Sequence, residues 1–171
     1  CPCCHGNVKI KNDNGSKTLY CTNPDCKAKL LGKLVHFVSR NAINIDGLSE
    51  QTLEKLVDLG WVISFKDLYN LKFYKDKMMN LEGFGQQSVN KLLDSIEKSK
   101  NTTLDRFINA LSIPLIGKST SKDISNACHG NFHEFVLHIK KESMPFSSIS
   151  GFGTEMSKSI SRWWGENYDS V

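Results

Sequence analysis

The sequence predicts a mainly α-helical chain that carries one small β-hairpin near its amino end. Three observations indicate this fold class. A short glycine-containing turn sequence recurs along the chain, apolar residues at helical spacing follow it, and two close pairs of cysteines enclose a segment of alternating apolar and polar residues. With 171 residues, of which 39% are hydrophobic and 23% charged, the chain has the composition of an ordinary globular protein.

Four cysteines near the amino end have the spacing of a closed metal site. They are Cys1, Cys4, Cys21 and Cys26. Two close pairs with sixteen residues between them form the frame of a tetrahedral zinc site. Because four thiolate ligands leave no position for water, we expect this zinc to be structural and not catalytic. Cys3 and His5 could substitute as ligands, and two disulfides are the other alternative, although nothing in the sequence indicates secretion.

The segment between the two cysteine pairs predicts a small β-hairpin. Apolar and polar residues alternate in 8–11 and again in 17–20, and the turn-forming sequence of residues 12–15 lies between them. We therefore predict a four-cysteine zinc finger over residues 1–30, followed by a helical domain over residues 31–171.

The recurring turn sequence is clearest at residues 83–85. It reads Gly-Phe-Gly there, and an apolar stripe at positions 89, 92, 93 and 96 follows with the period of an α-helix. Shifts of 36, 32 and 36 residues relate four copies, which begin at Gly47, Gly83, Leu115 and Gly151. An internal period of about 34 residues is typical of stacked supersecondary units. One such turn is equally expected between two unrelated helices, so the repetition carries the prediction.

Two helices joined by a turn of this kind form a helix-hairpin-helix unit. The predicted fold is therefore mainly α, with four tandem helix-hairpin-helix units preceded by a small β-hairpin zinc finger. We expect the hairpins near residues 45–50, 81–88, 113–120 and 149–156. An unrelated helical array is the alternative architecture. Cys128, Trp163 and Trp164 have helical spacing, and we interpret them as core residues.

The turns also predict where an anion would bind. Glycine permits φ > 0 and lets the backbone approach a ligand, and the first N–H groups of the following helix lack partners within that helix. Glu50 and Glu54 follow the first turn, so we expect that turn to be structural. Polar or basic residues follow the other three turns. The candidate phosphate-binding residues are Gly83, Gly85, Gln86, Gln87, Lys91, Gly117, Lys118, Ser119, Lys122, Gly151, Gly153, Thr154 and Lys158.

The net charge of +4 is modest and unevenly placed. Residues 1–44 carry seven basic and two acidic residues, whereas residues 45–171 carry fifteen basic and sixteen acidic ones. Contact with nucleic acid would therefore depend on local lysines and on backbone amides. No apolar run approaches the roughly 20 residues of a membrane span, and we expect no membrane partner. Because the chain begins on Cys1 without an initiator methionine, we expect a fragment of a larger protein.

Four stretches of the sequence form a distinctive set: Cys-Pro-x-Cys at 1–4, Cys-x-Asn-Pro-x-Cys at 21–26, the segment from 36 to 48 and the segment from 106 to 117. Together they resemble bacterial NAD-dependent DNA ligases. The resemblance covers nearly the whole chain, and the segment from 36 to 48 is specific to this family. It implies a region that clamps duplex DNA around a nick, mainly through phosphates and without reading the sequence.

The same resemblance implies the setting of the chain. The parent protein would be an NAD-dependent DNA ligase that seals nicks in replication and repair. A structural zinc would lie in this chain, and NAD and Mg would bind elsewhere in the parent protein. The partners would be duplex DNA and the remaining ligase domains of the same parent chain, in the bacterial cytoplasm and associated with the nucleoid.

The sequence offers no catalytic residue in this chain. The family's adenylated lysine lies in Lys-x-Asp-Gly, and the nearest match here, at residues 44–47, reads Asn-Ile-Asp-Gly. No paired carboxylates, Ser/His/Asp set or P-loop is present, so the chain alone should neither react with NAD nor seal nicks. Two other functions stay open as alternatives: the DNA-binding region of a repair nuclease or topoisomerase, and a zinc-containing protein–protein scaffold.

Overall fold

The computed structural model describes residues 1–13 and 15–170, and its first element is a two-stranded antiparallel hairpin. Strand β1 spans Val8–Asp13 and strand β2 spans Ser16–Cys21, with Val8 opposite Cys21. The predicted hairpin is therefore confirmed, although its strands are longer than the alternation indicated. The predicted turn at 12–15 includes Asn14, which lies outside the described residues.

Helices make up most of the remaining described chain, which confirms the mainly α prediction. The α-helices are α1 Lys27–Val38, α2 Glu50–Asp58, α3 Phe65–Asn70, α4 Lys75–Met79, α5 Gln86–Ser99, α6 Leu104–Ala110, α7 Lys118–Ala127, α8 Phe132–Lys141 and α9 Thr154–Asn167. Short 3-10 helices lie at Leu71–Tyr74 and Tyr168–Ser170. No helix in the described part of the chain has both the length and the hydropathy needed to cross a membrane.

The apolar stripes predicted from the sequence face one core. In α5 the buried residues include Val89, Leu92 and Ile96. Serines take the position of Val89 in the later copies, and Ser121 in α7 and Ser157 in α9 are fully buried. Their hydroxyl groups donate to backbone oxygens 2.9 and 2.8 Å away. The core therefore holds these polar groups without leaving them unpaired.

Three further residues that the sequence placed in the core are buried. Cys128, Trp163 and Trp164 are each less than a tenth exposed. Burial, reinforced by the carboxylates of Glu134 and Glu142, raises the pKa of the Cys128 thiol to about 11. A thiol with so high a pKa carries almost no thiolate at neutral pH and is a poor nucleophile. Its interpretation as a core residue is confirmed.

Four turns have a left-handed residue at the same position, and each turn leads into a helix. The residues with positive φ are Gly47 (93°), Gly83 (87°), Leu115 (68°) and Gly151 (80°). Each lies three residues before the first residue of α2, α5, α7 or α9. The second glycine of each Gly-x-Gly pair has ordinary extended backbone and does not use its freedom to adopt φ > 0. The repeat in the sequence is thus also a repeat in backbone geometry.

The segments that precede the four turns differ. Among the described residues, α4 directly precedes the second turn and α6 the third, whereas irregular segments at 39–49 and 142–153 precede α2 and α9. In the earlier segment, the N–H groups of Ile43 and Ile45 donate to carbonyl groups at the end of α1, each at 3.0 Å. In the later segment, Pro145 has no N–H group for a helical hydrogen bond. The complete helix–turn–helix arrangement is therefore present at two of the four turns.

Leu115 gives a direct test of the turn geometry. It occupies the left-handed position at which the other three turns have glycine, and its side chain is 64% exposed. The left-handed conformation costs a non-glycine residue about 1–2 kcal/mol, and glycine loses roughly 0.5–1 kcal/mol more in chain entropy. We expect Leu115→Gly to raise the free energy of unfolding by up to about 1 kcal/mol in urea denaturation.

The fourth turn provides the reverse substitution and its control. Gly151→Ala should lower the free energy of unfolding by about 1–2 kcal/mol, because the alanine would have to adopt φ near 80°. Gly153→Ala should change it little, since that residue has φ of −81° and no atom lies within 4 Å of the added Cβ. Loss of stability in the Leu115→Gly form would show that the leucine side chain stabilises the turn.

Candidate metal centre and nucleic-acid interface

The structure brings four of the amino-terminal cysteines into one cluster. The sulfur atoms of Cys1, Cys4, Cys21 and Cys26 all lie within 4.8 Å of one another. Cys1 Sγ is 3.9 Å from Cys26 Sγ, and Cys4 Sγ is 3.5 Å from Cys21 Sγ. Zinc–sulfur bonds of ~2.3 Å in tetrahedral geometry place the ligand sulfurs about 3.8 Å apart. All the described cysteines are free thiols, so the cluster has the spacing of a metal site and not of disulfides.

Short-range backbone contacts hold the four cysteines in place. In the first pair, the His5 N–H donates to Cys1 O at 2.9 Å and closes a tight turn. In the second pair, Asn23 Oδ1 accepts from the Asp25 N–H at 3.0 Å, and Cys26 is the N-cap residue of α1. Strand β2 ends on Cys21 and delivers the third ligand. The hairpin, a turn and the start of a helix therefore converge on the cluster.

The cluster favours thiolate at one of its members. The Gly6 N–H and then the Asn23 side chain hydrogen-bond to Cys4 and lower the pKa of its thiol to about 6. Gly6 permits this approach, because a Cβ there would lie 3.3 Å from Cys4 Sγ and 3.2 Å from Asn23 Cβ. Burial raises the pKa of Cys26 instead. The contact between Asn23 and Cys4 was not predicted from the sequence, in which Asn23 appeared only as part of the motif at 21–26.

Cys3 lies outside the cluster. Its side chain is exposed, and the group of metal-ligating side chains found among the described residues contains neither Cys3 nor His5. The reason is local geometry, since adjacent residues in a tight turn direct their side chains apart. The donor set is four sulfurs, which suits zinc and gives a closed site without a position for a reacting water.

The N-terminus of α2 differs from those of the helices after the other three turns. Ser49 is the N-cap of α2, and its hydroxyl oxygen accepts from the Thr52 N–H at 3.1 Å. Glycines Gly85, Gly117 and Gly153 are the N-caps of α5, α7 and α9, and a glycine has no side chain with which to cap. An N-cap side chain therefore satisfies an amide of α2, whereas no N-cap side chain is present to satisfy the first amides of α5, α7 and α9. At the second turn, the Gly85 N–H itself donates to Ser88 Oγ at 2.8 Å.

The first turn also packs partly against the rest of the protein, although Asp46, Gly47 and Ser49 themselves remain exposed. A Cβ on Gly47 would lie 3.5 Å from Leu92 Cβ, and the Asp46 N–H donates to Ser95 Oγ at 2.8 Å. Both contacts join the first turn to α5. No atom lies within 4 Å of a Cβ built on the glycines of the other three turns, which are Gly83, Gly85, Gly117, Gly151 and Gly153. These three turns are open to solvent.

The remaining predicted site residues lie at the starts of the same three helices. Those with exposed side chains are Gln86, Gln87, Lys91, Lys118, Ser119, Lys122, Thr154 and Lys158. Lys158 forms an ion pair with Glu155 at 3.3 Å. No ion pair involves Lys91, Lys118 or Lys122 in the part of the chain that the structure describes. The ammonium groups beside the second and third turns are thus available to an anion.

Hydrogen bonds associate the turns in two pairs. Lys55 Nζ in α2 donates to Glu82 O in the second turn at 3.1 Å. Ser159 Oγ in α9 donates to Pro114 O in the third turn at 2.6 Å. The second turn is therefore held against the helix of the first, and the third against the helix of the fourth.

A set of three hydrogen bonds, which we call the 36–109 latch, joins the two halves of the helical region. His36 Nε2 donates to Asn109 O at 2.8 Å, Arg106 Nη2 donates to Arg40 O at 2.7 Å, and Asn109 Nδ2 donates to Asn41 O at 3.2 Å. The sequence analysis did not predict this contact, which joins residues about 70 positions apart. The signal that could have found it is the pairing of polar residues in 36–41 and 106–109, two segments that carry the family resemblance.

The amino-acid sequence of the chain is similar to those of several known proteins. No family model matches the chain. The DNA ligase of Ruminiclostridium cellulolyticum is 40% identical over 171 residues, which is all of this chain and 26% of that protein. The chain is related to one part of bacterial DNA ligases. The DNA ligase of Petrotoga mobilis is 39% identical over 97% of this chain, and that of Wolinella succinogenes is 33% identical over all of it. The chain spans about a quarter of the length of these ligases.

Proposed function

We propose that this chain is the DNA-binding region of an NAD-dependent DNA ligase, and that it holds nicked duplex DNA through phosphates without reading the sequence. One observation supports the assignment most strongly. Three helices begin at turns with glycine N-caps and no neighbouring atom within 4 Å of a Cβ built on their glycines, whereas the similar helix at the first turn is capped by Ser49 and its turn contacts α5. An oriented backbone amide at a helix start is a favourable partner for a phosphate oxygen.

The two predicted domains and the four predicted units belong to this proposal. Residues 1–30 act as a zinc finger, and residues 31–171 act as a helix-hairpin-helix domain with four copies of the unit. The common φ > 0 position in the four turns supports a shared origin. The first copy is structural in this proposal, because Ser49 caps α2 and the turn contacts α5.

The proposed contacts combine amides, hydroxyls and lysines. At each open turn, the amides at the helix start donate to a phosphate, and the polar residues after the turn, such as Gln86, Ser119 and Thr154, add donors. Lys91, Lys118, Lys122 and Lys158 neutralise phosphate charge and release counterions. Contacts of this kind position a duplex but carry no sequence information. Binding should therefore depend on salt and not on base sequence.

Cys1, Cys4, Cys21 and Cys26 would hold the zinc ion. The ion supplies folding energy to residues 1–30 and takes no part in a reaction, because the four sulfurs complete its coordination. In the parent protein, nick sealing would rely on NAD and Mg bound in other domains, and on an adenylated lysine outside this chain. We place that parent protein in the bacterial cytoplasm, close to the chromosomal DNA.

The test is a salt series on a short nicked duplex, measured by fluorescence anisotropy. Four to six phosphate contacts predict a slope of roughly −4 to −5 in log K against log salt. Lys118→Ala should make the slope less steep by about one unit and should weaken binding to all sequences alike. Glu50→Gln, at the first turn, should change little.

Lys140→Ala is the matched control for removal of a lysine. Lys140 lies at the end of α8, where its ammonium group is 5.0 Å from the Tyr168 ring, away from the helix starts. A flat salt response, or loss of binding confined to changes near Gly47, would contradict the assignment of the three open turns. Binding that ignores salt would instead favour a protein–protein scaffold.

A further inference from the structure

A basic and aromatic surface lies outside the four turns. It consists of Lys72, Phe73, Tyr74 and Lys77, and we call it the Phe73 patch. Phe73 is 75% exposed, the largest exposed fraction of any large apolar side chain in the described residues. The patch belongs to the 3-10 helix Leu71–Tyr74 and to α4, which follows it directly.

The backbone beneath the patch is anchored in the core. Leu71 and Met78, on either side of the patch in sequence, are fully buried. The Tyr74 ring stacks on Trp61 with centroids 4.7 Å apart. Phe73 has no aromatic ring partner among the described residues. A backbone anchored in the core therefore presents the largely exposed Phe73 ring to solvent.

The charge around the aromatic residues is positive. Between residues 66 and 77 the chain has four lysines and two aspartates. Asp67 is already engaged, since its carboxylate accepts hydrogen bonds of 3.1 and 2.7 Å from residues just before α3. Lys72 Nζ lies 5.2 Å from the centre of the Phe73 ring, and Lys77 Nζ lies 5.8 Å from the centre of the Tyr74 ring. Asp76 is the remaining carboxylate within this segment.

The neighbouring helix contributes one carboxylate that faces the patch. Glu97 in α5 is paired with Lys100 at 2.5 Å, and the pKa of its carboxyl is lowered mainly by Lys100 and in part by Lys72. Glu97 is thus already engaged, and no ion pair involves Lys72 or Lys77 among the described residues. An anionic partner would therefore find two ammonium groups beside an exposed ring.

We propose that the Phe73 patch binds single-stranded DNA, with an unpaired base stacked on Phe73 and the flanking phosphates held by Lys72 and Lys77. Aromatic rings combined with a positive surface are the usual means by which proteins hold single strands without sequence preference. The bases of an intact duplex are stacked on one another and offer no free face to Phe73. This site is separate from the three open turns and goes beyond the proposed duplex-binding function.

The test measures anisotropy of a fluorescein-labelled dT12 oligonucleotide with the complete chain at low salt. Phe73→Ala should weaken binding roughly 5- to 100-fold, the range found when one base–aromatic stack is removed. Phe73→Leu keeps an apolar side chain but removes the aromatic face, and it should weaken binding to a similar extent. Phe73→Trp should bind at least as tightly as the original chain. Because the side chain is largely exposed, thermal melting should stay unchanged in all three.

Salt dependence tests the phosphate contacts. Lys72→Gln and Lys77→Gln should each make the salt slope for dT12 less steep by about 0.7, the value for one phosphate of a single strand. Ile63→Ala is the control for an exposed apolar side chain, since Ile63 is 70% exposed but is not a member of the Phe73 patch. It should leave dT12 binding unchanged.

Several results would overturn the proposal. They are absence of dT12 binding, unchanged binding in Phe73→Ala, normal binding in Phe73→Leu, and binding that ignores salt. The Lys118→Ala background separates this site from the proposed function. In that background, Phe73→Ala should weaken dT12 binding by the same factor as in the original chain, whereas duplex binding should fall. If Lys118→Ala alone has an effect, duplex binding at the turns stands and the patch is refuted.

Discussion

Replacing Cys26 with serine will reduce the zinc content from about one ion per chain to nearly none and will unfold residues 1–30. The thiol of Cys26 is one of the four sulfurs in the cluster, and its residue is 1% exposed. Among residues 1–33 whose side chains the structure describes, Cys26 alone is buried. The apolar residues of the β-hairpin do not form a core, since Ile10 is 62% exposed and Leu19 67% exposed. A metal ion held by the four sulfurs would therefore supply most of the folding energy of this segment.

The expected size of the zinc contribution explains why Cys26→Ser should unfold residues 1–30 completely and not merely lower their stability. Structural zinc contributes about 10–16 kcal/mol in small zinc modules, far more than a hairpin of this size can supply. Metal analysis of the purified chain and limited proteolysis will measure the effect, with new cleavage sites confined to residues 1–30. The α-helical signal should persist, because the apolar core begins at Leu34.

Cys3→Ser is the matched control for this prediction. Cys3 is exposed and lies outside the sulfur cluster, so its replacement should leave both the zinc content and the protease resistance unchanged. Chelation of the original chain should reproduce the effect of Cys26→Ser. A chain that stays folded at its amino end without metal, with oxidised cysteines, would refute the zinc site.

Aspartate at the glycine N-caps will weaken duplex-DNA binding while leaving the helices at least as stable. Gly117→Asp would place a carboxylate where Ser49 has its hydroxyl, and that carboxylate would accept from the amides at the start of α7. The same amides are the proposed phosphate donors, and the new negative charge would repel a phosphate. Loss of one charged hydrogen bond predicts a decrease in affinity of about tenfold or more.

The affinity for DNA should fall in these variants, whereas the melting temperature should not. Asp is a better N-cap than Gly by a few tenths of a kcal/mol, so the melting temperature should be unchanged or slightly higher. The combined form with Gly85→Asp, Gly117→Asp and Gly153→Asp should lose roughly a thousandfold in affinity, if separate sites contribute additively. Anisotropy on the nicked duplex and thermal melting will measure both quantities on the same samples.

Two controls isolate the cause. Ser49→Asp adds the same charge at the first turn, where Ser49 already caps α2, and it should leave DNA binding nearly unchanged. Gly117→Asn provides a capping oxygen without charge, so the difference between Asn and Asp measures the charge effect alone. Equal losses from Ser49→Asp and Gly117→Asp would mean that the turns do not differ in function. An unaffected triple form would remove the open turns from the interface.

Much of the fold follows from local signals that the sequence displays directly. The cysteine spacing anticipates the sulfur cluster, and the alternation around residues 12–15 anticipates β1 and β2. Apolar stripes of helical period anticipate the buried faces of α5, α7 and α9. The 36-, 32- and 36-residue shifts give the positions of the four turns, and each turn has its left-handed residue where the repeat places it.

Other features depend on contacts between distant residues and could not be derived from pattern alone. The sequence does not show that Leu92 and Ser95 cover the first turn, because that contact joins residues about 45 positions apart. It also implies four equal units. In the structure, the first and fourth turns lack a directly preceding helix: a segment with backbone hydrogen bonds to the end of α1 leads into the first turn, and a segment that contains a proline leads into the fourth. The metal site needed only local spacing, whereas the role of each turn depended on what packs against it.

The 36–109 latch determines how the two pairs of turns would act together. Under the proposed function, each open turn by itself would make one or two phosphate contacts and would bind weakly. If the distance between the turns is fixed, binding of DNA at one turn makes binding at the next an intramolecular event with a high effective concentration. If His36, Arg106 and Asn109 keep the halves in one arrangement, the entropy cost of fixing the relative positions of the turns is incurred when the chain folds and not when it binds DNA. The affinity of the whole chain for DNA would then depend on the rigidity of the 36–109 latch, although the latch itself need not contact the DNA.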